Sequence, residues 1–267
     1  MKLKKKPQGA RLGQHFLKAP WAASALAHAA EIMPGEKVLE IGPGKGGLTR
    51  ALLAVGGKVI AIEKDAVLTK LLQETFASDI ESGALKIVLA DIRDINPEKL
   101  GLKRGEYIVA ANIPYYITGE IIRQFLTAQQ QPRAMALLLQ KEVAQRIISA
   151  RESILSLSVK AYGTPKIVKK VSRGNFSPAP SVDSAILAIT GISRDFFRGI
   201  DEEKFFKIVR AGFSSKRKFL ANNLGSLFGK ERAIAALVKC GISEKARAED
   251  VPLESWRCLA QELATSH

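Results

Sequence analysis

Val38-Leu39-Glu40-Ile41-Gly42-Pro43-Gly44-Lys45-Gly46-Gly47 is the stretch on which the fold turns. An apolar strand runs into a glycine-rich turn that should open a helix. Glycines at such a turn let the backbone approach a ligand and accept positive φ. Gly42, Gly44 and Gly47 also fit the Gly-x-Gly-x-x-Gly spacing of dinucleotide sites, so nicotinamide or flavin chemistry has to be weighed. Outward from this turn, Val59-Ile60-Ala61-Ile62, Ile87-Val88-Leu89-Ala90 and Ile108-Val109-Ala110 read as buried strands, each followed by polar or glycine-bearing residues and a helical pattern. The alternation implies right-handed crossovers and a largely parallel sheet covered on both faces, a Rossmann-like, doubly wound α/β fold. Met135 to Leu139 and Ala185 to Ile189 should extend it. Helices are expected over 21–32, 66–77 and 120–128, the last capped by Thr118.

In such a sheet, ligands bind at the carboxyl ends of the strands. Four of these ends are polar. Glu40 precedes the glycine turn, where a carboxylate opposes a pyrophosphate but suits a cationic sulfonium with an amino-acid tail. Glu63 ends the second strand and can accept both hydrogens of a ribose diol. Asp91 ends the third and can accept from an adenine amino group. Asn112 ends the fourth. Gly42, Glu63, Asp91 and Asn112 should therefore converge on one crevice.

Asn112-Ile113-Pro114-Tyr115 adds a second pocket. An adenine amine is a poor nucleophile because its lone pair is delocalised into the ring. Its two N–H groups, donated to the Asn112 side-chain oxygen and the Ile113 carbonyl, would favour a more tetrahedral nitrogen aimed at the sulfonium methyl. Positioning and electrostatics then carry the rate without a strong base. Pro114 fixes the turn, and Tyr115 can stack on the base. Phe176, in the proline-rich segment before Ser184, is the candidate for the other side of an aromatic sandwich.

The 267 residues suggest one large domain and one small one. The boundary is expected near Gly191 and Gly199, giving a catalytic domain over 1–194 with a basic N-terminal arm and a small all-helical domain over 195–267. Helices should cover 202–211, 217–224, 230–240 and 253–263. No apolar run reaches the ~18 residues of a membrane span, and no signal peptide follows the basic start. Cys240 and Cys258 lack metal-ligand spacing, so a reduced pair in a cytosolic protein is expected, with no metal. The net charge of +15 favours a polyanionic partner. Lys2, Lys4, Lys5, Lys6, Arg11 and Lys18 form one basic cluster, Lys166, Lys169, Lys170 and Arg173 a second, and Lys216, Arg217 and Lys218 a third.

These blocks, taken in order, resemble the ribosomal RNA adenine dimethyltransferases. The match runs through Gly13-Gln14-His15-Phe16-Leu17, Glu40 to Thr49, Ile62 to Asp65, Asp91, Asn112 to Tyr115 and Phe176 to Ser184, and extends to Gln140 to Ala144 and Lys216 to Leu220. The resemblance implies a class I methyltransferase fold and S-adenosylmethionine as cofactor. It implies cofactor contacts at His15, Leu17, Gly42, Glu63, Asp91 and Asn112, and base contacts at Asn112, Ile113, Tyr115 and Phe176. Many members carry Asn at the position of His15 and Leu at that of Ile113, and residues 150–156 are atypical. The helical tail with Lys216-Arg217-Lys218 resembles the small-subunit branch, which dimethylates two adjacent adenosines near the 3′ end of that RNA during ribosome assembly. That branch implies a cytoplasmic enzyme, expected to be monomeric. The alternatives are a large-subunit methylase of the antibiotic-resistance type, a non-catalytic assembly factor on this fold, a DNA adenine methyltransferase and a nicotinamide oxidoreductase.

Overall fold

The computed structural model describes residues 15–264. Of the expected basic arm, Lys2, Lys4, Lys5, Lys6 and Arg11 lie outside the described residues, as do Gly13 and Gln14. The strands are β1 (Phe16–Leu17), β2 (Lys37–Ile41), β3 (Lys58–Glu63), β4 (Leu85–Leu89), β5 (Tyr107–Asn112), β6 (Ala134–Gln140), β7 (Thr164–Val171), β8 (Phe176–Ser177) and β9 (Ser184–Thr190). The helices are α1 (Pro20–Ala29), α2 (Gly47–Ala54), α3 (Ala66–Thr75), α4 (Ala77–Glu81), α5 (Thr118–Leu126), α6 (Lys141–Ile148), α7 (Ile154–Lys160), α8 (Glu202–Gly212), α9 (Leu220–Phe228), α10 (Lys230–Lys239) and α11 (Leu253–Ala264).

Seven strands form one sheet in the order β4-β3-β2-β5-β6-β9-β7. β2 to β6 pair parallel, and β9 enters antiparallel between β6 and β7. The sheet is Rossmann-like and reverses direction at β2 and β5, the switch point where a crevice opens. Tyr107 to Ala111 of β5 are buried throughout, as expected of an interior parallel strand covered on both faces. α5 turns Ile121, Ile122, Phe125 and Leu126 inward. Asp65 caps α3 by accepting from the Val67 and Leu68 amides. Thr118 is not a cap. It is the first helical residue of α5, and its hydroxyl donates back to the Tyr115 carbonyl at 3.3 Å.

The chain divides into two compact units, one of residues up to 144 and 164–192, the other of 145–163 and 193 onward. This differs from a single division at 194/195. Residues 145–163 join the helical unit because the Glu152 amide donates to the Glu249 carbonyl at 2.7 Å and Tyr162 packs on Phe197. In this unit Trp256 is fully buried and stacks on Phe213, and a Cβ on Gly212 would collide with its ring. α9 starts at Leu220 rather than 217. Lys216, Arg217 and Lys218 occupy the exposed turn before it.

The cysteines are not a reduced pair. Cys240, which ends α10, is bonded to Cys258 of α11, with Cα atoms 5.8 Å apart. Nothing in their spacing signals this, since the pairing depends on how the two helices pack. For the closed loop of sequence separation 18, chain entropy gives about 3 kcal/mol of stabilisation. Replacing both cysteines by serine should therefore lower the denaturation midpoint of the helical unit. An equal midpoint for the variant and the untreated protein in denaturant titration would show that the bond does not form in solution.

Candidate functional site

The glycine turn after β2 takes positive φ at Gly42, Gly44 and Gly46. Two neighbours fix this choice of residue. A Cβ on Gly46 would collide with the Phe76 ring, and one on Gly44 would sit 3.0 Å from the Phe16 ring. The backbone therefore runs directly beneath β1. Gly42, Gly44, Leu17, His15, Glu63 and Asn112 line one cavity with Ile113, Pro114 and Tyr115.

Glu63, at the end of β3, is 2% exposed. Its Oε2 accepts from the Gly44 amide at 3.1 Å, and Oε1 accepts from the Lys64 and Asp65 amides at 2.9 and 3.0 Å. Three backbone donors thus aim this carboxylate into the cavity. Asp91 lines an adjoining depression that shares Gly42, Glu63 and Pro114 with the first. The Arg93 guanidinium grips it through Nε to Oδ1 at 3.0 Å and Nη2 to Oδ2 at 2.6 Å, and the Arg93 amide adds a third bond. Those bonds hold the Asp91 carboxyl well below the usual range, at about 2. Gly42, Glu63, Asp91 and Asn112 therefore line two adjoining depressions that share Gly42, Glu63 and Pro114, and Glu40 lines neither.

Asn112 Nδ2 donates to the His15 carbonyl at 3.0 Å. A carbonyl can only accept, so the amide orientation is fixed and Oδ1 is left as its acceptor. His15 Nδ1 lies 2.8 Å from the Pro178 carbonyl, which fixes the tautomer in the same way. His15 therefore ties the start of the described chain both to the end of β5 and to the segment after β8. The sequence pattern gives no sign of this bridge. Ile113 is anchored by its amide to the Leu138 carbonyl. The Tyr115 hydroxyl lies 2.8 Å from Ser184 Oγ, and its ring lies 5.7 Å from that of His15. Burial pushes the Tyr115 phenol up, with the Asp183 charge adding to it.

Phe176 does not stand at the mouth. It is 2% exposed and belongs to the hydrophobic core. The proline-rich segment that reads as a loop contains β8, which pairs Phe176 with Leu17 of β1 and turns the ring inward.

The sequence reading set the Glu40 carboxylate against a cationic sulfonium, and the structure corrects this, because Glu40 lines neither depression. It is fully buried on β2. Oε2 accepts from the Thr49 hydroxyl of α2 at 2.7 Å, while Oε1 has no partner among the described residues. Burial, reinforced by the nearby Glu63 charge, pushes its carboxyl up to about 8.

Lys216 lines a cavity of about 600 Å³ in the helical unit, with Arg146 and Arg151 as further cations and Leu155 and Phe213 as apolar wall. Among the described residues no group of three or more His, Cys, Asp or Glu side chains could hold a metal, and no helix is long and apolar enough to cross a membrane.

Residues 6–265 match the family described as ribosomal RNA adenine dimethylase. Among similar proteins, ribosomal RNA small subunit methyltransferase A of Dehalococcoides mccartyi is 38% identical over 252 residues, covering 93% of this chain and 86% of its own length. The protein of that name from Moorella thermoacetica is 37% identical, covering 94% and 91%. A solved 23S ribosomal RNA methyltransferase, ErmE, superposes with a TM-score of 0.75 at 27% identity, covering 94% of this chain and 100% of that one. A dimethyladenosine transferase from Plasmodium falciparum shares the fold, with a TM-score of 0.78 at 24% identity over 92% and 96%.

The Glu40 carboxyl has a pH signature. Between its ordinary 4.5 and about 8 the native state holds a proton that the unfolded state has lost, so stability falls as pH rises through that window. Urea unfolding between pH 5 and 8 should show this fall in the unmodified protein and a flatter profile in Glu40→Gln, which keeps an acceptor for Thr49. Parallel profiles would mean that Glu40 is ionised in the fold.

Proposed function

The chain belongs to the ribosomal RNA adenine dimethylase family, on its small-subunit branch, and from that premise we propose that it uses S-adenosylmethionine to dimethylate N6 of two adjacent adenosines near the 3′ end of small-subunit ribosomal RNA. The observation that carries this reading is the fixed amide of Asn112, whose remaining acceptor faces a cavity shared by the glycine turn, Glu63 and Tyr115.

The residues present fit the cofactor. The turn at Gly42 and Gly44 gives backbone close approach to its amino-acid portion, with His15 and Leu17 lining the same wall. Glu63, held by the Gly44, Lys64 and Asp65 amides, would accept from the ribose diol. Asp91 accepts from the adenine amine at Oδ2, which holds one Arg93 bond against two donors on Oδ1. When bound, the cofactor supplies an electrophilic methyl on a cationic sulfur.

The target adenine donates its N6 hydrogens to Asn112 Oδ1 and the Ile113 carbonyl, which Pro114 aims. Those bonds pull the nitrogen toward tetrahedral geometry and free its lone pair for attack. Alkylation makes the nitrogen acidic, so solvent can take the departing proton. Tyr115 stacks on the base, and Phe176 supports it from the core rather than as a second stacking face. Lys216, Arg217 and Lys218 bind RNA phosphates, and the cations Arg146 and Arg151 extend that surface. The substrate is an immature small subunit in the cytoplasm, and the enzyme acts as a monomer.

Labelled methyl transfer to small subunits lacking the modification, with mass spectrometry of the digested RNA, tests this directly. Dimethyladenosine at two adjacent positions is expected. Label appearing only in large-subunit RNA, or no label with cofactor binding intact, would overturn the substrate or the activity. Asn112→Ala should lower kcat by at least roughly 10²–10³-fold, the usual size for a removed preorganised partner, with a smaller loss of cofactor affinity in calorimetry because its bond to the His15 carbonyl is lost too. Neutralising Lys216, Arg217 and Lys218 together should weaken RNA binding and reduce the salt slope by about 2–3. An unchanged slope would make the cluster a solvated face.

A further inference from the structure

β7 is one of the two edge strands of the sheet, and Thr164 to Asn175 carries Lys166, Lys169, Lys170 and Arg173 with no acid. Lysines on an edge strand commonly serve only to prevent pairing with another chain. Lys169 does something more specific. Its ammonium lies 5.1 Å from the ring centroid of Trp21, near the start of α1. Trp21 is 43% exposed, unusual for so large an apolar side chain.

A bulge creates this contact. Lys166 pairs with Ala188 and Ile167 with Leu187, but Lys169 pairs with Ile186, so Val168 is the extra residue. Side chains alternate along a strand, and one inserted residue moves all that follow to the opposite face. Lys169 therefore shares a face with Lys166 and Val171, the face on which Val171 and Ile186 enter the core under α1. Without the bulge it would point away from the helix. Lys18, exposed three residues before Trp21, adds a cation, and 15–30 contains no acid.

We propose that Trp21, Lys18, Lys166 and Lys169 form a contact surface for a single-stranded stretch of RNA, with a base stacked on Trp21 and phosphates on the lysines. An open aromatic face flanked by cations is the arrangement that binds unpaired strands with little sequence preference. The inference rests on the reading of the chain as an RNA-modifying enzyme, and it adds a surface distinct from the cavity at Asn112.

The chain's two tryptophans make the test direct. Trp256 is fully buried, so accessible emission comes from Trp21. A single-stranded 12-nucleotide RNA should quench that emission, and Trp21→Phe should remove the quench. Lys18→Gln, Lys166→Gln and Lys169→Gln combined should weaken binding about tenfold and reduce the salt slope by about 2, at ~0.7 per phosphate on single strands. Both should raise KM for the small subunit more than they lower kcat. No quench at saturating RNA, or an unchanged affinity and slope, overturns the proposal. So does a triple variant that binds RNA normally but loses association with anionic phospholipid vesicles. Asn112→Ala keeps this surface intact, so retained quenching with retained turnover would count against the catalytic reading alone.

Discussion

Burial of both faces of β5 leaves its polar residue only one place to go. Tyr107 to Ala111 are inaccessible, with β2 on one side and β6 on the other, so an amide within that run would be desolvated without a partner. At the carboxyl end the sheet stops and the crevice begins. Asn112 sits there, and Glu63 and Asp91 sit at or just past the ends of β3 and β4 for the same reason. The parallel arrangement brings all three to one edge, and the direction change between β2 and β5 opens the space between them. The site is thus a consequence of where a fully covered parallel sheet can tolerate polar side chains.

Glu40 and Glu63 show how far environment separates two identical groups. Glu63 meets three backbone amides, which aim it into the crevice. Glu40, on the neighbouring strand, meets one hydroxyl and then apolar surroundings, so its proton is retained. A neutral Glu40 also spares Glu63 a second negative charge in the same low-dielectric region. Of the two carboxyl groups, only Glu63 lines the crevice.

Much of this was legible in the chain because it follows from short-range pattern. The strands from 38 to 112 show as apolar runs, and the residues ending them are polar. What was not legible depends on register or on distant packing. Phe176 lies in a segment whose prolines announce a loop, yet two residues of pairing with β1 suffice to bury it. Residues 145–163 carry the end of α6 and all of α7, helices that the strand-and-turn pattern did not announce, and no local pattern says which core they join. Cys240 and Cys258 become neighbours only because α10 packs on α11. The re-aiming of Lys169 needs a single bulged residue that no spacing rule would place.

The bond between Asn112 and His15 carries the argument one step further. Asn112 has one amide and two proposed duties, and its Nδ2 is already committed to the His15 carbonyl. That commitment fixes which atom the substrate can meet. It also means that the base pocket is complete only when the segment bearing His15 is in place. The same segment carries Leu17, which pairs with β8, and His15 itself holds the Pro178 carbonyl. Tyr115 is held separately, through Ser184 at the start of β9. The proposed cofactor wall and base wall therefore meet at the bond between Asn112 and His15. A ligand that orders residues 15–17 on the cofactor side would also set the amide that receives the adenine, so cofactor and target binding are coupled through Asn112 with no further moving part.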